Sequence, residues 1–252
     1  MCEDDLANGA SLTPAPGSRL LVTCEHGGRE VPPAFAALYT GREALLASHR
    51  GWDAGAMDLA RRLADAFGAP LHAATTTRLL VDLNRSIGHP RLFSEITRAL
   101  PPEQRHGIVD RHYRPHRRAV GADIARLVTS GHRVIHVASH SFTPALDGVS
   151  RRADVAWLYD PRRPGERALA RAWMRDLAQL APELRLRRNY PYRGRDDGLT
   201  AALRKRYPDS AYAGIELEVN QRFFGRHDAT WDRLQSMLVE SLRNVLPGAP
   251  DR

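Results

Sequence analysis

The apolar and polar positions divide the chain into alternating extended and helical stretches. Residues 20–22 are a short apolar run, Leu20-Leu21-Val22, that leads through Cys24, Glu25 and His26 to Gly27-Gly28. Such a run reads as a buried strand of a parallel sheet. The glycine pair marks a turn that residues with a Cβ resist. Residues 33–38 read as a short helix after Pro32. Residues 52–67 have helical spacing, with Ala56, Leu59, Ala60, Leu63 and Phe67 on one side, and Gly68 and Pro70 end them. Residues 71–83 read as extended segments, β-branched at Thr75-Thr76-Thr77 and apolar at Leu79-Leu80-Val81. Residues 88–102 are loop-rich, and residues 103–129 carry a long helical pattern kinked near Pro115. Strands are expected over 132–139, 155–159 and 212–219, and helices over 164–180, 199–206 and 229–245. This alternation predicts an α/β three-layer sandwich with a mixed, mostly parallel sheet and helices on both faces. One domain is expected over residues 19–252, after a flexible N-terminal tail over residues 1–18 that holds Pro14, Pro16 and Gly17.

Composition changes this picture little. A hydrophobic fraction of 42% and 26% charged residues are ordinary for a globular chain that buries its own core. Cys2 and Cys24 are too few for a disulfide framework, and the first ten residues lack the basic start and apolar centre of a secretory signal. No apolar run reaches the length of a membrane span. A cytoplasmic protein is therefore expected. The net charge of +8 raises nucleic acid as a partner. Lys205 is the only lysine among 37 basic residues, and the arginines are scattered among acids without a basic arm. That pattern argues against nucleic acid and suits a small anionic substrate.

The chemistry gathers at strand ends, where open α/β sheets place ligands. His26 ends the first strand, and His140 follows the apolar run Val134-Ile-His-Val-Ala-Ser139. Two imidazoles at the ends of two strands converge on one point and suit a single zinc ion. A catalytic zinc takes three protein ligands. Asp53 is the expected third metal ligand, with Glu25 and Glu30 as competing oxygens; Glu25 should point away from His26. Glu216 and Glu218 share one face of a strand, the other face being Ile215, Leu217 and Val219. Two such acids are costly to bury unless they meet water or a cation, and a carboxylate beside a metal site serves as general base. Glu218 is the expected catalytic base and Glu216 the alternate. An edge strand with one wet face is the plainer reading of the pair. Asn84 and Arg85, ending Asp82-Leu-Asn-Arg, form an expected substrate-carboxylate clamp. Tyr113 and His116, three apart on a helix, and Arg193 and Arg195, in a polar loop, are further substrate-binding candidates. There is no G-x-S-x-G, H-E-x-x-H, Walker loop or G-x-G-x-x-G.

These motifs come in one order: CEHGG, the Trp-Asp pair, VDLNRS, Tyr-Arg-Pro-His, the histidine after VIHVAS, and IELEVNQ. Over roughly residues 19–245 the chain resembles the N-formylglutamate amidohydrolase family. The resemblance implies a zinc-exopeptidase-like fold, related to the zinc carboxypeptidases and aspartoacylase-type deacylases. It implies a D-L-N-R segment holding a substrate carboxylate and a late-strand glutamate as base. It further implies hydrolysis of an N-formyl or other small N-acyl group from an acidic amino acid, N-formylglutamate yielding formate and glutamate. A different N-acyl or formimino substrate, or a non-catalytic anion- or nucleic-acid-binding protein on the same fold, are the alternatives. One departure stands out. The carboxypeptidase-like relatives take two zinc ligands from His-x-x-Glu, whereas Arg29 lies three residues after His26 and Glu30 one further.

Overall fold

A computed structural model describes residues 17–225 and 229–246. Of the tail expected over residues 1–18, all but Gly17 and Ser18 lies outside the described residues, as do residues 247–252 of the expected domain. Strand β1 (Arg19–Cys24) leads through a 3-10 turn (Pro33–Tyr39) and α1 (Glu43–Ala47) to α2 (Ala56–Phe67) and β2 (Leu71–Ala73). Helices α3 (Glu95–Arg98), α4 (Pro102–Ile108) and α5 (Arg114–Thr129) precede β3 (Val134–Phe142). A small hairpin, β4 (Ala145–Leu146) and β5 (Val149–Ser150), leads to β6 (Val155–Leu158), α6 (Pro164–Leu180) and β7 (Leu186–Arg188). Then come α7 (Leu199–Arg204), β8 (Tyr212–Asn220) and α8 (Thr230–Val245).

The main sheet has the order β2-β1-β3-β8-β6-β7. Its pairings are parallel except β6 against β8, so the sheet is mixed and mostly parallel. Strand periodicity sorts the side chains onto two faces. Val22, Cys24, Val137, Ile215, Leu217 and Trp157 pack under α2, α6 and α8, and Leu21, Val134 and Tyr212 meet α5 and α7. Each fully buried large side chain contributes roughly 1.5–3 kcal/mol. Helices on both faces make the three layers. Among the described residues, no helix is long and apolar enough to cross a membrane.

Four local differences from the sequence reading matter. Arg78, Leu79 and Leu80 form a turn, not a strand, and Leu79, Leu80 and Val81 anchor a separate apolar cluster with Tyr39, Ile108 and Tyr113. A buried apolar triplet has no period, so it fits a turn as well as a strand. The helix expected from residue 52 starts at Ala56, because Gly55 takes a left-handed φ of 81° as its N-cap, and Asp53 stays in the preceding loop. His140 lies inside β3, not after it. The kink near Pro115 is a π turn over Val109–Tyr113, where the Arg114 N–H reaches the Val109 carbonyl ahead of a proline that has no N–H to give.

Candidate metal centre and cavity

β1 delivers His26 to the site two residues beyond its last hydrogen-bonded residue, and the chain then leaves through Gly27-Gly28. Neither glycine has a left-handed φ. A Cβ on Gly28 would fall 2.3 Å from the Thr75 carbonyl oxygen, and one on Gly27 would fall 2.5 Å from Met57 Cε. The glycines are needed for close approach, not for the turn geometry expected. β3 and β8 supply His140 and Glu218 as register partners. β8 lies between β3 and β6, so the edge-strand reading of Glu216 and Glu218 is wrong.

His26, Asp53 and His140 each bring one ligand atom within 4.8 Å of the others, and all three are buried. His140 Nδ1 lies 3.0 Å and His26 Nδ1 3.4 Å from Asp53 Oδ2. His26 Nδ1 has no hydrogen-bond partner among the described residues. The far nitrogens are held by other buried carboxylates. His26 Nε2 bonds Asp82 Oδ1 at 2.7 Å, and His140 Nε2 lies 3.1 Å from Glu25 Oε2. An imidazole backed by a carboxylate is how metal-binding histidines are oriented and made more basic. Arg78 spans the two aspartates, 3.1 Å from Asp53 and 2.7 Å from Asp82.

The charges test whether a cation fits. Burial alone would raise the carboxyls of Asp53, Asp82 and Glu25, yet all three are held below their usual range. For Asp53 the opposing groups are His26 and His140, for Asp82 they are Arg78 and His26, and for Glu25 they are His116 and His140. Burial opposes charge on His140 too, but Asp53 and Glu25 push its pKa up. Asp53 and Asp82 thus share the Arg78 guanidinium, and the imidazoles, His140 above all, supply the remaining positive charge to the three buried carboxylates. A divalent cation in place of that proton suits the donor set, two imidazoles and a carboxylate.

A cavity of about 300 Å³ opens over this cluster, lined among others by His26, Asp53, Asn84, Arg85, His140, Arg193, Glu216 and Glu218. Glu218 is buried, its Oε2 lacks a hydrogen-bond partner among the described residues, and burial, opposed by His140, raises its pKa to about 8. Glu216 is engaged instead, accepting from Thr200 Oγ1 at 2.7 Å. Asn84 Oδ1 accepts from the Leu199 N–H at 2.7 Å, and its Nδ2 lies 3.5 Å from His140 Nε2. Arg85 Nη1 donates to the carbonyls of Asn84 and Asp197 at 3.1 and 2.6 Å, and its Nε is buried without a partner among the described residues. Gly198 allows this packing, since a Cβ there would fall 2.9 Å from Asn84 Oδ1 and 3.1 Å from Glu216 Oε1.

Three expected contributors stand apart from the cavity wall. Arg195 is exposed and does not line it. The Tyr113 hydroxyl donates to the Arg85 carbonyl at 2.7 Å, behind the clamp. His116 Nε2 lies 3.7 Å from Glu25 Oε1, on the far side of that carboxylate. Helical spacing gave the neighbours of these two side chains but not which wall the helix shows to the cavity. Glu30 is exposed and accepts from Thr75 Oγ1, so it is not at the cluster. Glu25, expected to point away from His26, meets the outer nitrogen of His140 and so borders the cluster. The sequence reading missed Arg78, which the turn that follows it brings back onto Asp82 four residues on.

The family model for N-formylglutamate amidohydrolase matches residues 18–224. Among solved structures, gene product Atu2144 of Agrobacterium tumefaciens is similar, with a TM-score of 0.78 and 26% identity over 91% of this chain and 90% of that one. The N-formylglutamate amidohydrolase of Ralstonia eutropha JMP134 shares the fold, with a TM-score of 0.66 and 18% identity over 92% of this chain and 95% of its own. No curated protein matches the chain. The motifs of the sequence therefore lie within one family model that covers most of the chain: the protein belongs to the N-formylglutamate amidohydrolase family.

Proposed function

We propose that this protein is a zinc-dependent amidohydrolase that removes an N-formyl or other small N-acyl group from an acidic amino acid, N-formylglutamate being the model substrate. The observation that carries the reading is the pairing of a buried His26, Asp53 and His140 cluster with Glu218, whose Oε2 has no hydrogen-bond partner among the described residues, in one cavity. His26, Asp53 and His140 would hold the ion. When bound, zinc supplies Lewis acidity, activating water at neutral pH and polarising a carbonyl.

Glu218 is the general base. Its carboxylate takes a proton from the attacking water and returns it to the leaving amine. Water adds across the C–N bond, so the products are formate, or the corresponding acid, and the free amino acid. Burial favours the protonated form that returns the proton to the amine, and a cation held beside Asp53 would favour the carboxylate that takes it. Glu216, tied to Thr200, is the alternate base or a support for Glu218. Arg85 and Asn84 hold a substrate carboxylate and so fix the pose of the scissile bond. Arg193 adds a second anion contact from the cavity rim.

The test is formate release from N-formyl-L-glutamate by protein loaded with one equivalent of zinc, beside a panel of N-acyl and formimino amino acids. Turnover of N-formylglutamate above the panel is expected. Preference for another member moves the substrate and leaves the mechanism. No turnover of any member, together with no bound zinc and salt-sensitive anion binding, would replace the enzyme with a binding protein.

A further inference from the structure

A groove of about 440 Å³ runs along α5, away from the candidate metal centre. Arg114, Arg117 and Arg118 line it from the helix, and Arg206 lines it from just beyond α7; no carboxylate does. Arginine abundance alone does not produce this. Two other cavities with several arginines, the candidate site and a cleft between α2 and α8, are lined by carboxylates as well. In the groove, among the described residues, only Arg114 is paired to an acid, Asp110 at 2.7 Å. Arg117 lies over the Tyr113 ring, 5.2 Å from its centre, and its Nη1 is buried without a hydrogen-bond partner among the described residues. Arg206 reaches the helix where Gly121 has no side chain; its Nη1 lies 3.6 Å from the place a Cβ would take.

Guanidiniums gathered without a counter-charge repel one another. An anion with several charges and fork-shaped oxygens relieves that, and phosphate groups fit the guanidinium fork. A lone carboxylate would neutralise only one of the three uncompensated arginines. We propose that this groove binds a small polyphosphate anion, of the class found in pyrophosphate and in nucleoside di- and triphosphates. The groove also abuts the substrate clamp. Tyr113, under Arg117, donates to the Arg85 carbonyl, and the exposed Ile87 lies two residues past Arg85 on the groove wall. Occupation of the groove therefore bears on Arg85; this second part rests on the proposed amidohydrolase reading, and the binding does not.

The experiment is calorimetric titration of zinc-loaded protein at low salt with inorganic pyrophosphate, then with ATP. Binding is expected, weakened at least about tenfold in the Arg118→Glu, Arg206→Glu double variant, whose two sites are exposed. Arg193→Ala, in the other cavity, should leave it intact. Tighter ATP than pyrophosphate binding assigns a nucleotide, and equal binding assigns the phosphate groups alone. No heat up to millimolar pyrophosphate overturns the site, as does binding kept by the double variant and lost by Arg193→Ala. None of these readouts needs turnover, so failure of the amidohydrolase reading is seen separately. A pyrophosphate-dependent change in KM of twofold or more is expected in the wild type; an unchanged KM removes the link to Arg85.

Discussion

His140 and Glu218 are register partners on adjacent parallel strands, β3 and β8. Backbone hydrogen bonding alone sets the candidate ligand beside the candidate base, on the same face of the sheet. No loop has to be ordered for the two to meet. Such a pair sits on strands rather than loops, where positional error is smaller.

Glu218→Gln should keep the metal and lower kcat by about 100-fold or more. Zinc content by elemental analysis and formate release together check this. Unchanged turnover would pass the role to Glu216.

Metal removal should abolish turnover, and zinc should restore it. A cation that binds only the folded state stabilises by about 2.7 kcal/mol when present at a hundred times its Kd. Thermal unfolding with and without chelator reads that difference. In His140→Ala the difference should vanish, along with bound zinc.

Arg78→Ala should destabilise the protein by about 3 kcal/mol, because it leaves Asp53 and Asp82 buried without their shared counter-charge. Zinc should recover part of the loss, since it replaces positive charge beside Asp53. Denaturant midpoints in both metal states give the numbers. A loss below about 0.5 kcal/mol would place Arg78 among ordinary surface ion pairs.

His116→Asn should weaken zinc binding about tenfold with KM little changed, because His116 meets Glu25, which meets His140. Competition with a chromophoric chelator measures the first quantity and steady-state kinetics the second. A raised KM with unaltered zinc affinity would return His116 to the substrate.

His136, four residues before His140 on β3, gives a pH signature of its own. It is fully buried between Thr23 Oγ1 at 2.8 Å and the Tyr212 hydroxyl at 2.7 Å, and burial lowers its pKa to about 4. The unfolded chain binds this proton near pH 6.5 and the folded chain only near 4. Stability from the neutral ring is thus whole above pH 6.5 and is lost as pH falls toward 4, by about 2–3 kcal/mol at pH 4.5. Urea midpoints at pH 7 and 4.5 should differ less for His136→Gln than for the wild type.

Much of this was legible in the residues. Period-two alternation gave β8 and the shared face of Glu216 and Glu218, and apolar runs ended on both histidines. What stayed hidden depended on packing across the chain. Leu79-Leu80-Val81 carries no period, so the turn at its start, and with it the Arg78 bridge, could not be read. β7, only Leu186–Arg188, is too short and too charged to stand out. The β4–β5 hairpin did leave a signal, since Asp147-Gly148 takes the paired positive φ values of a tight turn. Helical spacing placed Tyr113 beside His116, yet which of them a cavity would touch is set by how α5 lies on the sheet.

The reversal of β6 within an otherwise parallel sheet carries a consequence for divergence. Because β6 runs opposite to β8, the chain returns from β3 at the same end of the sheet that holds the metal cluster. The connection over residues 143–154 therefore borders the mouth and contributes Thr143 and Arg151 to it. Changes in the exposed turn and second strand of its hairpin, residues 147–150, would reshape the approach to the mouth and leave the interior strands in register, whereas Ala153 and Asp154 at its end are buried and tied to Asn220, Arg185 and Arg222.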